Sequence, residues 1–301
     1  MKYYLGLDLG GTNCRVAKVN QNGEIVALKK REVDGMAGPE VVLPAIYDLI
    51  KEIPQWQECC GIGCGVPGPV QTDIGVMSMS VNLKGFTDFP LKATMEKELG
   101  LPVYVDNDAN VAGLAEALVG AGKGKPIVYF ATISTGIGGA LIVNGQVVSG
   151  YKGYAGEIGN IIVDPSRPDR GLGHNCGAME AEAGGRATTL RAQSIFGEDK
   201  IKNAGDLFDL AKAGDPKAIE MVDTMTDDLA TGFSAIAHVC DPYVFVVSGG
   251  LLKSKDVWFE DFKRKFYAKI HPGMRETEIV LAQLAEPGLV GAAMLPVSFG
   301  K

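Results

Sequence analysis

Gly6-Leu7-Asp8-Leu9-Gly10-Gly11-Thr12-Asn13 is the stretch that decides the fold, and a related phrase, Ala131-Thr132-Ile133-Ser134-Thr135-Gly136-Ile137-Gly138-Gly139, occurs in mid-chain. Each phrase follows an apolar run typical of a buried strand and leads into a hairpin-like segment. Glycine beside small hydroxyl residues lets a backbone approach a ligand closely, with N–H groups free to bind phosphate oxygens. Asp8 adds a carboxylate, the ligand that a phosphate-bound Mg²⁺ requires. The two loops therefore predict a nucleotide held between two similar half-folds.

The order of elements around the two phrases is repeated as well. A strand at Tyr3–Asp8 precedes a hairpin across Asn20–Gly23, and a strand at Ile127–Ile133 precedes a hairpin across Asn144-Gly145, a strong type I′ turn signal. Strands and helices then alternate, including a long amphipathic helix at Ala218–Cys240 that ends before Asp241-Pro242. The pattern predicts an α/β fold with a duplicated βββαβα unit. The alternative is chance repetition of strand, glycine and strand, but the matching hairpins favour duplication.

Composition and charge bound the function class. The 301 residues are 46% apolar and 22% charged, as in a globular protein long enough for two domains. A net charge of −7 argues against a nucleic-acid partner. Met1-Lys2 leads directly into a strand, and the uncharged run Ile127–Val143 is interrupted by glycines and hydroxyl residues, so neither a signal peptide nor a membrane span is predicted. The six cysteines form no disulfide-like framework, which predicts reduced thiols in a cytoplasm, and Cys59, Cys60 and Cys64 are predicted to be buried thiols before or within a strand at Gly61–Val66.

A polar cluster at Asp106–Asn110 lies between a predicted strand at Val103–Val105 and a predicted helix at Ala109–Val119. An aspartate at such a junction can take the proton of an attacking hydroxyl. Asp108 is equally suited to cap the N-terminus of the helix. The local sequence leaves both roles open.

Two carboxylates, Glu157 and Glu180, lie in loop-like contexts that suit a polyhydroxylated ligand, because carboxylates accept hydrogen bonds from vicinal hydroxyls. Solvated surface acids are the alternative. Nearby, His174 and Cys176 are only two potential metal ligands, whereas a structural zinc site needs about four.

Common nucleotide-binding motifs are absent from the sequence. The segment Gly122-Lys123-Gly124-Lys125 is followed by Pro126 and is not a Walker A motif. No Gly-x-Gly-x-x-Gly opens a helix early in the chain either, so a Rossmann fold is not indicated.

Taken together, these segments resemble the ROK family of sugar kinases and repressors, within the actin-like ATPase superfamily, from Tyr4 to about Leu295. The segments that carry the resemblance follow one another in the family's order. They are Asp8–Thr12, Gly65–Pro69, Asn82-Leu83, Asn107–Asn110, Ser134–Gly139, Ala155–Gly159 and Ser248–Gly250.

The resemblance implies a two-domain actin-like ATPase (ribonuclease H-like) fold, with duplicated βββαβα cores and an interdomain cleft. Residues 1–108 and 290–301 would form the N-terminal α/β domain, to which the last helix returns. Residues 109–289 would form the larger C-terminal domain. A homodimer is the usual assembly in the family.

The resemblance also implies a role for each matched position. Asp108 would be the catalytic base. The sugar would be bound by Gly68, Asn82, Asn107, Asp108, Glu157, Asn160 and Glu180. ATP would be bound by Asp8, Gly10, Gly11, Thr12, Asn13, Thr135, Gly136, Gly249 and Gly250, with Asp8 as the ligand of the accompanying Mg²⁺.

The chain departs from the family around its zinc site. Many members bind zinc through a histidine after Gly-Glu-Ile-Gly and through a group of cysteines. Here Asn160 stands in place of that histidine, and the segment His174–Glu180 retains at most two ligands. No structural zinc is therefore predicted. Asn160 can donate and accept hydrogen bonds but cannot titrate near neutral pH, so the sugar preference is open.

The leading prediction is ATP-dependent phosphorylation of a hexose, with glucose at its 6-hydroxyl as the first choice. Other acceptors stay open: fructose, mannose, allose, N-acetylglucosamine and N-acetylmannosamine. A transcriptional repressor of the same family would carry a DNA-binding domain before the first phosphate loop, and that loop already begins at Asp8. An ATPase that activates a partner through an iron–sulfur cluster is a third alternative, but the cysteines show no cluster pattern.

Overall fold

The computed structural model describes residues 1–300. Its strands are β1 (Tyr3–Leu9), β2 (Asn13–Asn20), β3 (Ile25–Glu32), β4 (Ile62–Val66), β5 (Val70–Gln71), β6 (Val76–Met77), β7 (Val103–Asn107), β8 (Ile127–Ile133), β9 (Ile137–Val143), β10 (Gln146–Val147), β11 (Val244–Ser248) and β12 (Glu278–Leu281). Its α-helices are α1 (Pro39–Lys51), α2 (Leu91–Leu99), α3 (Asp108–Val119), α4 (Met179–Ala183), α5 (Gly185–Phe196), α6 (Ala204–Lys212), α7 (Pro216–Cys240), α8 (Lys255–Lys269) and α9 (Pro287–Ser298).

Two five-stranded sheets have the same design. The first has the order β3-β2-β1-β4-β7 and the second the order β10-β9-β8-β11-β12. In the first, β1 and β2 are antiparallel whereas β1, β4 and β7 are parallel. In the second, β9 and β10 form the antiparallel hairpin and β11 and β12 are parallel. The predicted α/β fold with a duplicated βββαβα unit is confirmed.

The packing of α9 explains why glycines occur inside the strands of the first sheet. Gly6 on β1 and Gly63 on β4 are directly paired, and both strands contact α9. A Cβ at Gly63 would overlap the carbonyl oxygen of Ala292 on this helix. The glycine pair therefore forms a flat surface that lets the helix backbone approach the sheet closely. The last helix thus returns to the first sheet, as the resemblance implied.

The chain divides into two compact units. One unit contains residues 1–130, 140–156 and 282–301, and the other contains residues 131–139 and 157–281. The core of the first includes Leu5, Leu7 and Ile46 from β1 and α1. In the second, the rings of Phe233 on α7 and Phe262 on α8 meet edge to face, with their centroids 4.9 Å apart. These compact units do not test the predicted domains. The division into residues 1–108 with 290–301 and residues 109–289 therefore stays a prediction.

Most predicted elements form within a few residues of their expected ends, but some were missed. Helices α5 and α6 and the small β5–β6 pair were not predicted. Helix α8, which buries Phe259 and Phe262, begins at Lys255. Cys60 is exposed, although its neighbours Cys59 and Cys64 are buried as expected. No helix formed by residues 1–300 combines the length and the apolar character needed to cross a bilayer.

Candidate active site

The first glycine-rich loop is a tight turn at the end of β1. The N–H of Gly10 donates to the carbonyl oxygen of Asn13 at 2.8 Å, and the Gly11 carbonyl accepts from the N–H of Gly35 at 2.8 Å. A Cβ at Gly11 would lie 2.9 Å from the carbonyl oxygen of Asn82, so glycine is required at this close approach. Thr12 and Asn13 are exposed at the turn. The structure therefore brings the predicted phosphate residues Gly10–Asn13 together with the predicted sugar residue Asn82.

Asp8 lies at the end of β1 and is paired with an arginine. Both Nε and Nη2 of Arg15 donate to its Oδ2 oxygen, the first at 3.1 Å. Arg15 also donates to Glu286 at 2.5 Å. Oδ1 is thus the Asp8 oxygen left to ligate a cation. One carboxylate together with phosphate oxygens and water is a sufficient site for Mg²⁺, so the donor set is compatible with the predicted ion.

At the junction of β7 and α3, the neighbouring polar residues Asn107 and Asp108 have different roles. Asn107 is the N-cap of α3, because its Oδ1 accepts from the N–H groups of Ala109 and Asn110. Its Nδ2 donates to the carbonyl oxygen of Gly68 at 3.1 Å. Asp108 is the first residue of the helix and is exposed, and its Oδ1 accepts from the N–H of Ala109 at 2.8 Å. The alternative role of Asp108, as the N-cap itself, is therefore taken by Asn107.

Asp106 is the buried acid of the same junction. Its side chain is engaged by Nδ2 of Asn110 at 2.7 Å, by the N–H of Asn107 at 2.7 Å and by the hydroxyl of Ser149 at 3.5 Å. Burial nevertheless raises its pKa to about 6, and these hydrogen bonds counteract only part of that rise. Asp106 is therefore buried, whereas Asp108 is exposed.

This burial predicts a pH-dependent stability. The folded protein binds more protons than the unfolded chain between about pH 4 and about pH 6, because the pKa of Asp106 rises from 3.8 to about 6 on folding. Its contribution to the free energy of unfolding therefore falls as pH rises through this window. Asp106→Asn should reduce the difference between the free energies of unfolding at pH about 4.5 and about 7, measured by urea denaturation. An unchanged difference would contradict the burial of this charge.

The second glycine-rich loop is held by α4 and α5. The N–H of Ser134 donates to the carbonyl of Gly136 at 2.9 Å, and the N–H groups of Gly185 and Arg186 donate to the carbonyls of Ser134 and Thr135 at 2.8 and 2.9 Å. At the other end of the loop, Oε2 of Glu180 accepts from the N–H of Ile137 at 2.7 Å. A predicted sugar residue therefore also fixes the predicted phosphate loop.

Two predicted sugar residues of the second unit, Asn160 and Glu180, contact His174, which was not among the predicted sugar-binding residues. His174 is hydrogen-bonded through Nε2 to Oε1 of Glu180 at 2.8 Å and through Nδ1 to Oδ1 of Asn160 at 3.3 Å. Partial burial and the negative charge of Glu180 raise the pKa of Glu157, while His174 lowers it. From the sequence, His174 was considered only as a metal ligand. Its contact to Asn160 joins residues 14 positions apart across an irregular loop, and sequence spacing does not predict such a contact.

No zinc site is formed around His174. Its two nitrogens are engaged by Glu180 and Asn160, and Cys176 is exposed. Throughout the described chain, no three or more His, Cys, Asp or Glu residues are grouped so as to hold a metal ion. The residues present do not fit a structural zinc of the kind common in the family.

A cavity of about 650 Å³ opens beside the second loop. It is lined by the loop residues Ser134 and Thr135, by Gly250 at the end of β11, and by Lys253. Gly249 has φ +109° and directs the chain into this corner. Most of the remaining wall comes from α5 and from residues 202–208, neither of which was predicted to form a helix. The capping box of α6, formed by Asn203 and Asp206, is the local signal that could have located this helix.

The repeated sheets and their glycine-rich loops define a chain of the actin-like ATPase fold. The ROK family matches residues 4–298. A glucokinase from Thermotoga maritima is 30% identical over 307 residues, covering 97% of this chain and 96% of that protein. A crystal structure of a ROK hexokinase from Thermus thermophilus superposes with a TM-score of 0.89 at 32% identity and covers 99% of this chain and 100% of that one. The chain belongs to the ROK family.

A second solved structure bears on the ligands. A ROK family glucokinase from Streptomyces griseus, determined in complex with glucose and AMPPNP, has a TM-score of 0.77 and 28% identity to this chain. The match covers 97% of this chain and 98% of that one. The similarity therefore extends over both glycine-rich loops and the β7–α3 junction.

Proposed function

We propose that this chain is an ATP-dependent sugar kinase that phosphorylates glucose at its 6-hydroxyl. The observation that carries the proposal is the β7–α3 junction, where the carboxylate of Asp108 is exposed while Asn107 takes over the capping of the helix. A general base needs such a carboxylate at a fixed place, and the first turn of a capped helix supplies it. Membership of a family that contains glucokinases supports the choice of reaction.

In the proposed reaction, the sugar hydroxyl attacks the γ-phosphorus of ATP and its proton passes to Asp108. A bond forms between the sugar oxygen and phosphorus, and the bond from phosphorus to the β–γ bridging oxygen breaks, so ADP leaves. The N–H groups of the two glycine-rich loops, Gly10–Asn13 and Thr135-Gly136, hold phosphate oxygens. Mg²⁺, when bound with ATP at Asp8, neutralises charge on the phosphates.

For the sugar, we propose contacts from Gly68, Asn82, Asn107, Glu157, Asn160 and Glu180. Three of these side chains are constrained by the hydrogen bonds described above, and Oδ1 of Asn160 is already engaged by Nδ1 of His174. Both polar ends of Asn107 are used within the protein, and each oxygen of Glu180 already accepts one hydrogen bond. Because a carboxylate oxygen has more than one acceptor site, Glu180 retains capacity for a sugar hydroxyl, and Nδ2 of Asn107 has a second N–H to donate to the sugar while the first holds Gly68 in place.

For the nucleotide, the adenosine end would lie in the cavity of about 650 Å³ beside Gly249 and Gly250. A homodimer, a cytoplasmic location and a place in glycolysis accompany the proposal and rest on the family alone. A different hexose or an N-acetylhexosamine is the alternative acceptor, because Asn160 stands where many relatives have histidine. A regulator without a DNA-binding domain is the remaining alternative.

The decisive test is ADP release measured by a coupled assay with ATP and Mg²⁺ across a panel of hexoses and N-acetylhexosamines. We expect turnover with glucose, with the highest kcat/KM of the panel. A higher kcat/KM for another sugar would replace glucose as the acceptor but keep the kinase. Absence of sugar-dependent ADP release across the panel would overturn the proposed function.

A further inference from the structure

Arg186 lines two cavities of the second unit. One is the cavity of about 650 Å³ assigned above to the nucleotide. The other is a smaller cavity of about 110 Å³ whose wall also includes Gly136, His174 and Glu180. Among the lining residues only Thr135 and Arg186 belong to both cavities. Arg186 therefore marks the place where the nucleotide side and the sugar side of this unit meet.

The backbone of Arg186 is held by a hydrogen bond, whereas its side chain forms no ion pair with another described residue. Its N–H donates to the carbonyl of Thr135 at 2.9 Å, in the first turn of the 12-residue helix α5. The side chain is exposed and has no ion-pair partner within residues 1–300. Three other arginines of this unit, in contrast, are paired with buried Glu182: Arg167, Arg170 and Arg191. A cation held beside the phosphate loop without a carboxylate partner is available to an anionic ligand.

The charge of the larger cavity fits the same conclusion. Lys202 and Lys253 line it together with Arg186, and no acidic residue does. The two lysines do not reach the smaller cavity. All three cations suit a polyphosphate chain, but only Arg186 is placed where that chain meets the acceptor side.

We infer that Arg186 is a catalytic residue whose guanidinium contacts the phosphate oxygens at the bond that breaks. This inference rests on the proposed kinase function and adds a residue to it. As the bond from the γ-phosphorus to the bridging oxygen breaks, its electron pair goes to that oxygen and negative charge grows on ADP. A guanidinium beside that oxygen stabilises this charge more in the transition state than in bound ATP, so it lowers the barrier.

The test compares Arg186→Gln and Arg186→Ala with wild type. We expect kcat to fall by roughly 10²- to 10³-fold, the usual effect of removing one charge-stabilising donor, with the KM for the sugar little changed. Guanidinium ion added at millimolar concentration should restore part of the kcat of Arg186→Ala. Binding of ATP should weaken while binding of AMP stays as in wild type. Arg275→Gln, a change of another exposed arginine that lines neither cavity, is the matched control and should behave as wild type.

The other possible results distinguish a binding role of Arg186, no role of Arg186, and failure of the proposed kinase function. If wild type turns over but Arg186→Gln keeps its kcat within about threefold, the inference fails and the kinase assignment stands. If Arg186→Gln changes only the KM for ATP, as Lys253→Gln should, the residue binds nucleotide and is not catalytic. If wild type phosphorylates no sugar of the panel, the proposed function fails and the inference falls with it.

Discussion

Replacing Asp108 with asparagine is expected to lower kcat by roughly 10²- to 10⁴-fold, the range that a positioned general base contributes. Asparagine keeps the size of the side chain and an oxygen that can accept from the N–H of Ala109, as Oδ1 of Asp108 does at 2.8 Å. It cannot take up the proton of the attacking hydroxyl. Because the N-cap of α3 is Asn107, the helix should remain intact and the loss should lie in catalysis.

The neighbouring carboxyl supplies a matched control. Asp106 is two residues away and has its pKa raised to about 6, so on acidity alone it is also suited to act as a base near neutral pH. It is 3% exposed, however, and its oxygens are engaged by Asn107, Asn110 and Ser149. We therefore expect Asp106→Asn to keep kcat within about tenfold of wild type, which is far less than the effect at Asp108.

Steady-state kinetics and calorimetric binding of the preferred sugar separate the two residues. Asp108→Asn should bind the sugar with an affinity close to wild type while turnover is nearly lost. Turnover near the wild-type rate in Asp108→Asn would remove the base from this position. A large loss in Asp106→Asn with little loss in Asp108→Asn would transfer the role to the buried acid.

The sequence predicted those parts of the molecule whose determinants are local. Alternating apolar residues and the Asn144-Gly145 turn specify the β9–β10 hairpin within a few residues, and glycines beside Thr12 and Thr135 specify both loops. Duplication followed from the repeated order of these signals. The same reasoning found the strand-to-helix junction at Asp108, because a polar cluster between two apolar patterns is itself a local feature.

The sequence could not predict contacts that join distant segments. Asn107 and Asp108 are both good N-caps, and the choice between them depends on the hydrogen bond from Asn107 to Gly68, 39 residues earlier in the chain. His174 becomes part of the site through Asn160 and Glu180, on either side of an irregular segment. Helix α5 has few apolar residues at helical spacing and begins at Gly184-Gly185, which the sequence indicates as a loop. Its position beside the phosphate loop is therefore visible only in the fold.

The second large effect is expected at Glu182, where substitution by glutamine should destabilise the protein by about 3–5 kcal/mol, the usual cost of breaking a buried ion pair. Glu182 is 0% exposed on the short helix α4. Arg170 binds it through two hydrogen bonds of 3.0 and 2.8 Å, and Arg167 and Arg191 each lie 3.6 Å from its Oε2. Glutamine leaves these guanidinium groups without their central countercharge.

The neighbouring acids cannot replace that charge. Asp164 and Asp228 are the other carboxylates paired with Arg167, at 2.8 and 3.5 Å. Burial raises the pKa of Asp228 to about 6, so its ionised form is itself costly. The charge of Glu182 adds to this rise, so in Glu182→Gln the pKa of Asp228 is lower and the variant gains less stability than wild type from protonation of Asp228 near pH 5. The loss in Glu182→Gln should therefore be larger at pH about 5 than at pH about 7.

Urea denaturation gives the free energy of unfolding for Glu182→Gln, Arg170→Gln and the double variant. The double variant should lose less than the sum of the two single losses, because removing both partners leaves fewer unpaired charges. Glu260→Gln, which breaks the exposed pair between Glu260 and Lys263, is the control and should unfold as wild type does. Equal midpoints for Glu182→Gln and this control would show that the cluster contributes nothing to stability.

The cluster has a functional consequence because of the segment that it holds. Arg167 and Arg170 lie on the irregular stretch between Asn160 and Glu180, which also carries His174. The ion pairs of Arg167 and Arg170 with Glu182 hold this stretch against α4, in addition to the backbone hydrogen bond from the N–H of Met179 to the carbonyl oxygen of Ile161 at 2.8 Å. Loosening them should free His174 from Glu180 and raise the KM for the sugar more than the KM for ATP. A chelator should leave the stability of wild type unchanged, whereas a chelator-induced loss would mean that a metal ion holds the segment.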